Sequence, residues 1–371
     1  MKEKDLKPFE RWIFETYTVS AEGLGLYRII ASLFILFFLI PGMGFDHYQY
    51  LASLPADFYN PPPGPMMLFD GFPSFIIFQV LYGLALLSVF AMLVGYQTKW
   101  ASISSGIFIL VLQGLIYSIG KVNHEVLVPL GPILMAFTNW GNRFSIDSMK
   151  PPEIKTERPV ESWPLVLLSI FIGFMMFTSG WPKILGGWLD PSTHAVKAHL
   201  FNQFFVHERE AYLAGYAIQI NSQIFWEFLD WITIIFEIGF LISIRKSKWF
   251  RFFLVIAVLF HFSTKMLLNI SFLPNFLAYA AFLNWDQIYK SNKSIFQNWA
   301  GYDEKRARNK SVTWFIIPIL ILFSILKWIS VQKFFLVESD LMLHESIFLF
   351  FAVLVVLYIC IKSLFRRKNS P

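Results

Sequence analysis

A single cysteine, Cys360, stands in 371 residues. That rules out a disulfide framework and any Cys-x-x-Cys pair, and with them a thiol-relay quinone reductase. Charge is also scarce. Asp, Glu, Lys and Arg make up 15% of the chain, against about a quarter in ordinary soluble domains. With 56% hydrophobic residues and a mean hydropathy of +0.54, there is too little polar surface to coat a water-soluble globule. Long polar stretches are missing as well: segments between apolar blocks run to roughly 25–45 residues, too short for an independent domain of ordinary size. There is no internal repeat, no HExxH spacing, and no small-x-small cleavage site after the first apolar run, which continues instead into "PGMGFDH".

What the chain does have is apolar blocks of the length that crosses a bilayer core as helix. Ten candidate spans fall near residues 24–41, 74–94, 101–119, 125–139, 163–181, 226–244, 250–269, 272–285, 313–331 and 345–364. The fourth and eighth are short and contain proline, a pattern expected of broken helices that line a protein interior. The expected architecture is all-α: a polytopic transmembrane bundle of about ten spans with both termini cytoplasmic. The Lys and Arg distribution supports that orientation. With the N-terminus inside, 23 of the 31 basic residues fall on the cytoplasmic side and 7 on the outer side, with Arg28 within the first span. The basic pI of about 9.2 therefore reflects topology and contact with membrane lipids, not nucleic-acid binding. "PFERWIFETY" reads as an interfacial segment, and "YNPPPGP" as a stiff outer loop.

Ionisable groups are costly inside a bilayer and tend to face a cavity or each other. Lys183 ends the fifth span in "FTSGWPKILGGWLD", and Asn123–His124 opens the fourth. His261 and Lys265 lie one turn apart on the seventh, and Glu237 lies within the sixth. This topology collects them toward the outer half, as one polar pocket would. Each also has a plainer reading. Lys183 could snorkel to headgroups, His261 could be a packing residue, and His124 could cap a helix. Glu237 is expected to pair with a buried group, Arg28 or a histidine, and Arg28 is expected to be a structural anchor. A metal site from His124, His261 and Glu237 would lack any ligand-type spacing, and none is expected. In "GGWLDPSTHAVKAHLFNQFF", Asp190 and Pro191 read as the N-cap and first residue of a helix carrying Val196, Leu200 and Phe204 on one side. That helix would lie across the outer face.

Three stretches together resemble the HTTM family, whose membrane domain is shared with vitamin K-dependent γ-glutamyl carboxylase. They are "VNHEVLVPLGPILMAFTNWGNRFSIDS" (122–148, with Ser145 and Asp147 in a Ser-x-Asp turn), "FTSGWPKILGGW" (177–188, a Phe-x-x-Gly-x-x-Lys with Trp188 five residues on) and "LFHFSTKMLLNISFLPNFLAYAAFLNW" (259–285). The "GYQTKW" turn after the second span fits too. The resemblance implies an HTTM-like membrane domain over 23–290, and the segment before it, 1–22, is expected at the cytoplasmic interface. A basic linker, 291–312, and two further spans with a basic tail, 313–371, follow.

In the carboxylase the matching lysine is the base that deprotonates vitamin K hydroquinone, and the matching histidine belongs to the same site. The resemblance therefore implies Lys183 as the base with His124 in the same site; together with the polar groups of the outer half, the expected catalytic residues are Lys183, His124 and His261, with Asn123, Thr264, Lys265, Glu237 and Trp188 at the substrate or cofactor. A lysine amine in an apolar, partly dry pocket suits that role. The implied cofactor is a reduced quinone of the vitamin K or menaquinol type, with no metal. Thr264 stands where the carboxylase has asparagine, and where the carboxylase has a large lumenal domain two further spans are expected here after residue 310, so the resemblance carries the chemistry but not substrate recognition. The expectation is a quinol-linked enzyme of the bacterial inner membrane, modifying a peptide or small molecule at the outer face. The alternative is a non-catalytic maturation or partner-binding factor, or a transporter-like protein, similar to smaller HTTM members or to DoxX-like proteins.

Overall fold

The structure, a computed structural model, describes residues 7–40, 45–120, 125–149, 160–209 and 211–291. Regular structure among them is helical. In chain order the helices are α1 (Pro8–Glu15), α2 (Ala21–Phe34, continued by a π turn, Ile35–Leu39), α3 (Phe45–Ser53), α4 (Phe75–Val94), α5 (Thr98–Tyr117), α6 (Leu127–Met135) and α7 (Trp163–Leu185). There follow α8 (Ala195–Phe201, continued by a π turn, Asn202–Val206), α9 (Ala214–Ala217), α10 (Gln223–Ser243), α11 (Ser247–Leu268), α12 (Phe276–Ala280) and α13 (Trp285–Ser291).

Among the described residues four helices, α4, α5, α7 and α11, are long and apolar enough to cross a membrane. Their surfaces show why a bilayer is the natural surrounding. Ile76, Val80, Leu84 and Leu87 of α4 recur at helical spacing and are all exposed, an apolar stripe that water would not tolerate and lipid would. Helix α10 is as long, at 21 residues, but carries three carboxylates, Glu227, Asp230 and Glu237.

Two expected spans are corrected. Residues 125–139 contain only the nine-residue α6, with Pro132 inside it. At 1.5 Å per residue that is about 14 Å, half of a bilayer core. Residues 272–285 contain a 3₁₀ turn at Leu273–Asn275, which includes Pro274, and the five-residue α12. Proline's missing N–H and the αL residue Asn139 break the backbone ladder in the fourth segment. The expected spans at 313–331 and 345–364, and the basic linker before them, lie outside the described residues.

The chain forms two compact units, dividing inside α7 after Leu168 and again after Phe276. In the first unit, Ser20 caps α2 by accepting from the Gly23 N–H (3.0 Å), and is itself held by Asp286 of α13, which accepts from the Ser20 N–H (3.0 Å) and hydroxyl (2.7 Å). Helix α4 ends on Gly95 at φ 70°, in the left-handed region. The Ser-x-Asp turn docks there: the Ile146 and Asp147 N–H groups donate to the Val94 and Gly95 carbonyls, each at 3.0 Å. The Asp147 carboxylate caps α5 by accepting from the N–H (2.7 Å) and hydroxyl (2.8 Å) of Thr98. Arg28 is fully buried and donates to the Trp140 carbonyl (3.2 Å) and the Phe144 carbonyl. It is the structural anchor that the sequence suggested.

Candidate functional site

The second unit holds the end of α7, α8 to α11 and the site. Helix α7 stops on two glycines. Gly187 is left-handed (φ 79°), its N–H donates to the Ile184 carbonyl (3.2 Å), and the Trp188 N–H reaches back to the Lys183 carbonyl (3.0 Å). This pairing of bonds is a Schellman C-cap, which folds the residue after the glycine back over the third-last helical residue. Here that places the Trp188 ring against the Lys183 ammonium, 5.0 Å from the ring centroid. The spacing Lys-x-x-x-x-Trp is thus the C-cap itself.

The preceding Gly-x-x-Lys has an equally local reason. A Cβ on Gly180 would sit 2.9 Å from the Glu237 Cβ and 3.2 Å from Ile238 Cδ1. Glycine therefore lets α10 approach α7 at Glu237. One turn on, on the same face, the Lys183 Nζ donates to Glu237 Oε1. Glu237 is 4% exposed and Lys183 25%. The expected partner of Glu237, Arg28 or a histidine, is corrected: it is Lys183, the cation nearest on the neighbouring helix. The second carboxylate oxygen, Oε2, is buried and makes no hydrogen bond among the described residues.

The expected start of the next helix is also corrected. Asp190 spends Oδ1 on the Ser192 N–H (2.9 Å) and hydroxyl (2.8 Å), and α8 begins only at Ala195, after the left-handed His194. Its cap comes from α10 instead. The fully buried Asp230 accepts from the Ala195 N–H (3.0 Å) and the Val196 N–H (2.7 Å), one on each oxygen. His194 Nδ1 lies 3.0 Å from Glu227 Oε1. The apolar side of α8 is where the spacing put it: Leu200 is buried with Ala214, Ala217 and Trp226, and Val196 and Phe204 pack around them.

Asp230, Glu227 and His194 were not anticipated, although three acids on an otherwise apolar helix, two of them seven residues apart, were a readable signal. Replacing Asp230 with alanine strips two bonds to a charged acceptor. We expect a loss of about 2 kcal/mol and new protease cuts between residues 195 and 209, read by mass spectrometry.

His261 and Lys265 are buried one turn apart on α11. The His261 ring stacks on Phe272, with centroids 4.6 Å apart, and also meets Phe260 and Phe276. Thr264 returns its hydroxyl to the His261 carbonyl (2.8 Å), bracing the helix turn that carries the histidine. Asn123 and His124 lie outside the described residues.

His199 of α8 is pulled below the ordinary histidine value of 6.5. Desolvation is the main cause, with the charges of Lys183, Arg209 and His207 adding to it. Its folded state therefore binds a proton less readily than the unfolded chain. The stability it contributes is present above about pH 6.5 and is lost as pH falls through the lowered folded value. Arg209→Gln should move the His199 midpoint back up in an NMR titration of labelled histidines, and an unmoved midpoint would show that the Arg209 charge does not reach it.

The family model for the HTTM domain matches residues 18–286, well over half of the chain. The chain belongs to the HTTM family. No curated protein and no solved structure matches it. It is thus a membrane protein of the family related to vitamin K carboxylase. The HTTM match takes in Lys183, Trp188, Asp230, Glu237, His261 and Lys265.

Proposed function

We propose that this HTTM protein is a quinol-linked enzyme of a bacterial inner membrane, modifying a peptide or small molecule at the outer face, with Lys183 and Glu237 as its proton-handling pair. The observation that carries this reading is the asymmetry of Glu237: one oxygen held by the Lys183 Nζ, the other buried with no hydrogen bond among the described residues. A buried polar atom without a partner is costly, and a bound group that completes its set is one way to meet that cost.

The residues fit a reduced quinone. An ammonium donor, a carboxylate acceptor and the indole of Trp188 suit a flat, weakly acidic ring alcohol. Lys183, Glu237 and Trp188 would hold it, and when bound it would supply reducing equivalents and an acidic hydroxyl. The chain's own work is proton handling. The Lys183 Nζ donates to Glu237 Oε1, and transfer of that proton to the carboxylate would leave an amine able to act as base. Trp188 lays its ring against the amine. Gly180 keeps α7 close enough to α10 for the pair to form. His261 and Lys265 on α11 are proposed to complete the site.

Purified protein with reduced menaquinone or vitamin K should consume oxygen and form quinone epoxide, and Lys183→Ala should abolish both. Absence of turnover by the wild type would overturn the quinol reading. A non-catalytic maturation or partner-binding role, or a conduit, has one observation in its favour: the same ion pair and ring contact clamp α7 to α10 without any ligand. That role predicts that Lys183→Ala still supports the cellular phenotype.

A further inference from the structure

We propose that Gln203, in the π turn that continues α8, is a ligand-binding residue of the Lys183–Glu237 site, its side-chain carbonyl accepting a hydroxyl of the quinol. This rests on the quinol reading and adds to it the residue that takes the second ring hydroxyl.

Helical spacing divides α8 and its π turn into rows four residues apart. Val196, Leu200 and Phe204 form the row packed on Ala214, Ala217 and Trp226. Lys197 and Phe201 follow that row by one position and lie on one flank. His199 and Gln203 precede it by one and lie on the other. The flank of Gln203 is the one near the pair, because the Lys183 charge acts on the His199 imidazole, one turn before Gln203. Gln203 is 9% exposed. Its Oε1 is buried and makes no hydrogen bond among the described residues.

This oxygen is not left over from a loose segment. The Gln203 backbone carbonyl accepts from the Arg209 N–H (3.0 Å), and the Leu200 row fixes the helix beside it. Gln203 also lies in the π turn Asn202–Val206, a widening of the helix that is rare and recurs at functional sites. A methionine of similar reach would fill the same space with no carbonyl to desolvate. An amide here gives up stability, as binding sites do.

The ligand chemistry follows from the donor count. Gln203 Oε1 and Glu237 Oε2 are both buried acceptors without a hydrogen bond among the described residues, so a group that completes them brings donors. A quinol brings two hydroxyls, one at each end of its ring. The oxidised ring brings only carbonyls. The hydroxyl beside Lys183 goes to Glu237 and the far hydroxyl to Gln203. The site therefore holds the reduced ring and lets go of the oxidised one.

The test is anaerobic calorimetric titration of the full chain in detergent with menadiol, a soluble naphthoquinol, and with menadione, its oxidised form. No turnover is needed. The wild type should bind menadiol more tightly than menadione. Gln203→Met should weaken menadiol about tenfold and leave menadione unchanged. Without ligand, the same variant should melt at or above the wild-type temperature, because it removes an unsatisfied buried oxygen. Equal menadiol affinity in the two proteins would overturn the role of Gln203 and leave the Lys183–Glu237 reading standing. A lower ligand-free melting temperature would make the amide a structural bond of the fold, which also overturns it. Menadiol binding to neither protein would overturn the quinol reading, and this inference with it.

Discussion

Removing either half of the Lys183–Glu237 pair is expected to cost both stability and function, and removing both halves to restore only the stability. Glu237 is 4% exposed on a helix whose neighbours are apolar, and Lys183 is 25% exposed beneath Trp188. Truncating one partner of a buried pair leaves the other charge uncompensated, at a cost of about 3–5 kcal/mol. The partial exposure of Lys183 puts this case at the lower end, about 3 kcal/mol. Lys183→Met and Glu237→Leu should each lower the unfolding free energy by that amount, read as a lower melting temperature. The double variant should return close to wild type, because two apolar side chains of similar volume fill the same contact without a buried charge.

Activity should behave differently. Loss of a general base or of the group that shares its proton lowers turnover by about 10²–10⁴-fold, and the double variant cannot recover it. Oxygen uptake set beside thermal melts separates the two effects. A double variant that regains both, or a Lys183→Met protein that turns over normally, would make the pair a clamp and nothing more.

Much of this arrangement could be read from the chain. Gly180, Lys183, Gly187 and Trp188 form a local unit, and local units leave their mark in spacing: a glycine where a neighbouring helix comes close, a glycine where the C-cap turns left-handed, an aromatic where the C-cap returns the chain. The membrane class was legible in the same way, from apolar blocks and a shortage of charge. What spacing could not supply was partnership between distant segments. Glu237 lies 54 residues from Lys183, and nothing local distinguishes that lysine from Arg28 as its partner. Asp190 is a good N-cap by type and position, yet Asp230, distant in sequence, takes the role because its carboxylate meets both free N–H groups of α8. The short fourth and eighth segments were marked by proline, but hydropathy alone could not say that α6 would stop after nine residues.

The same interplay of local and distant contacts makes Gly95→Ala the most damaging single-methyl change expected in the first unit. Gly95 is in the left-handed region at φ 70°, where a non-glycine residue of this kind costs about 1 kcal/mol or more. Space is the larger obstacle. A Cβ there would lie 2.2 Å from the Ser145 Cβ, 2.7 Å from the Ser145 Cα and 2.9 Å from the Arg28 Nη1. Arg28 is fully buried and bonded to two carbonyls, so it cannot swing aside. Ser145 is held by backbone too: the next two residues donate to Val94 and Gly95. Relief therefore requires the Ser-x-Asp turn to lift off the end of α4. That removes Asp147 from Thr98 and uncaps α5 as well. Overpacking adds about 1–3 kcal/mol to the backbone strain, for a total of about 3 kcal/mol. Gly83→Ala on the same helix is the control, since a Cβ at Gly83 meets nothing within 4 Å and should be neutral or slightly stabilising by helix propensity. Thermal unfolding of the two variants side by side checks the difference, and equal melting temperatures would mean that the turn does not pack against Gly95.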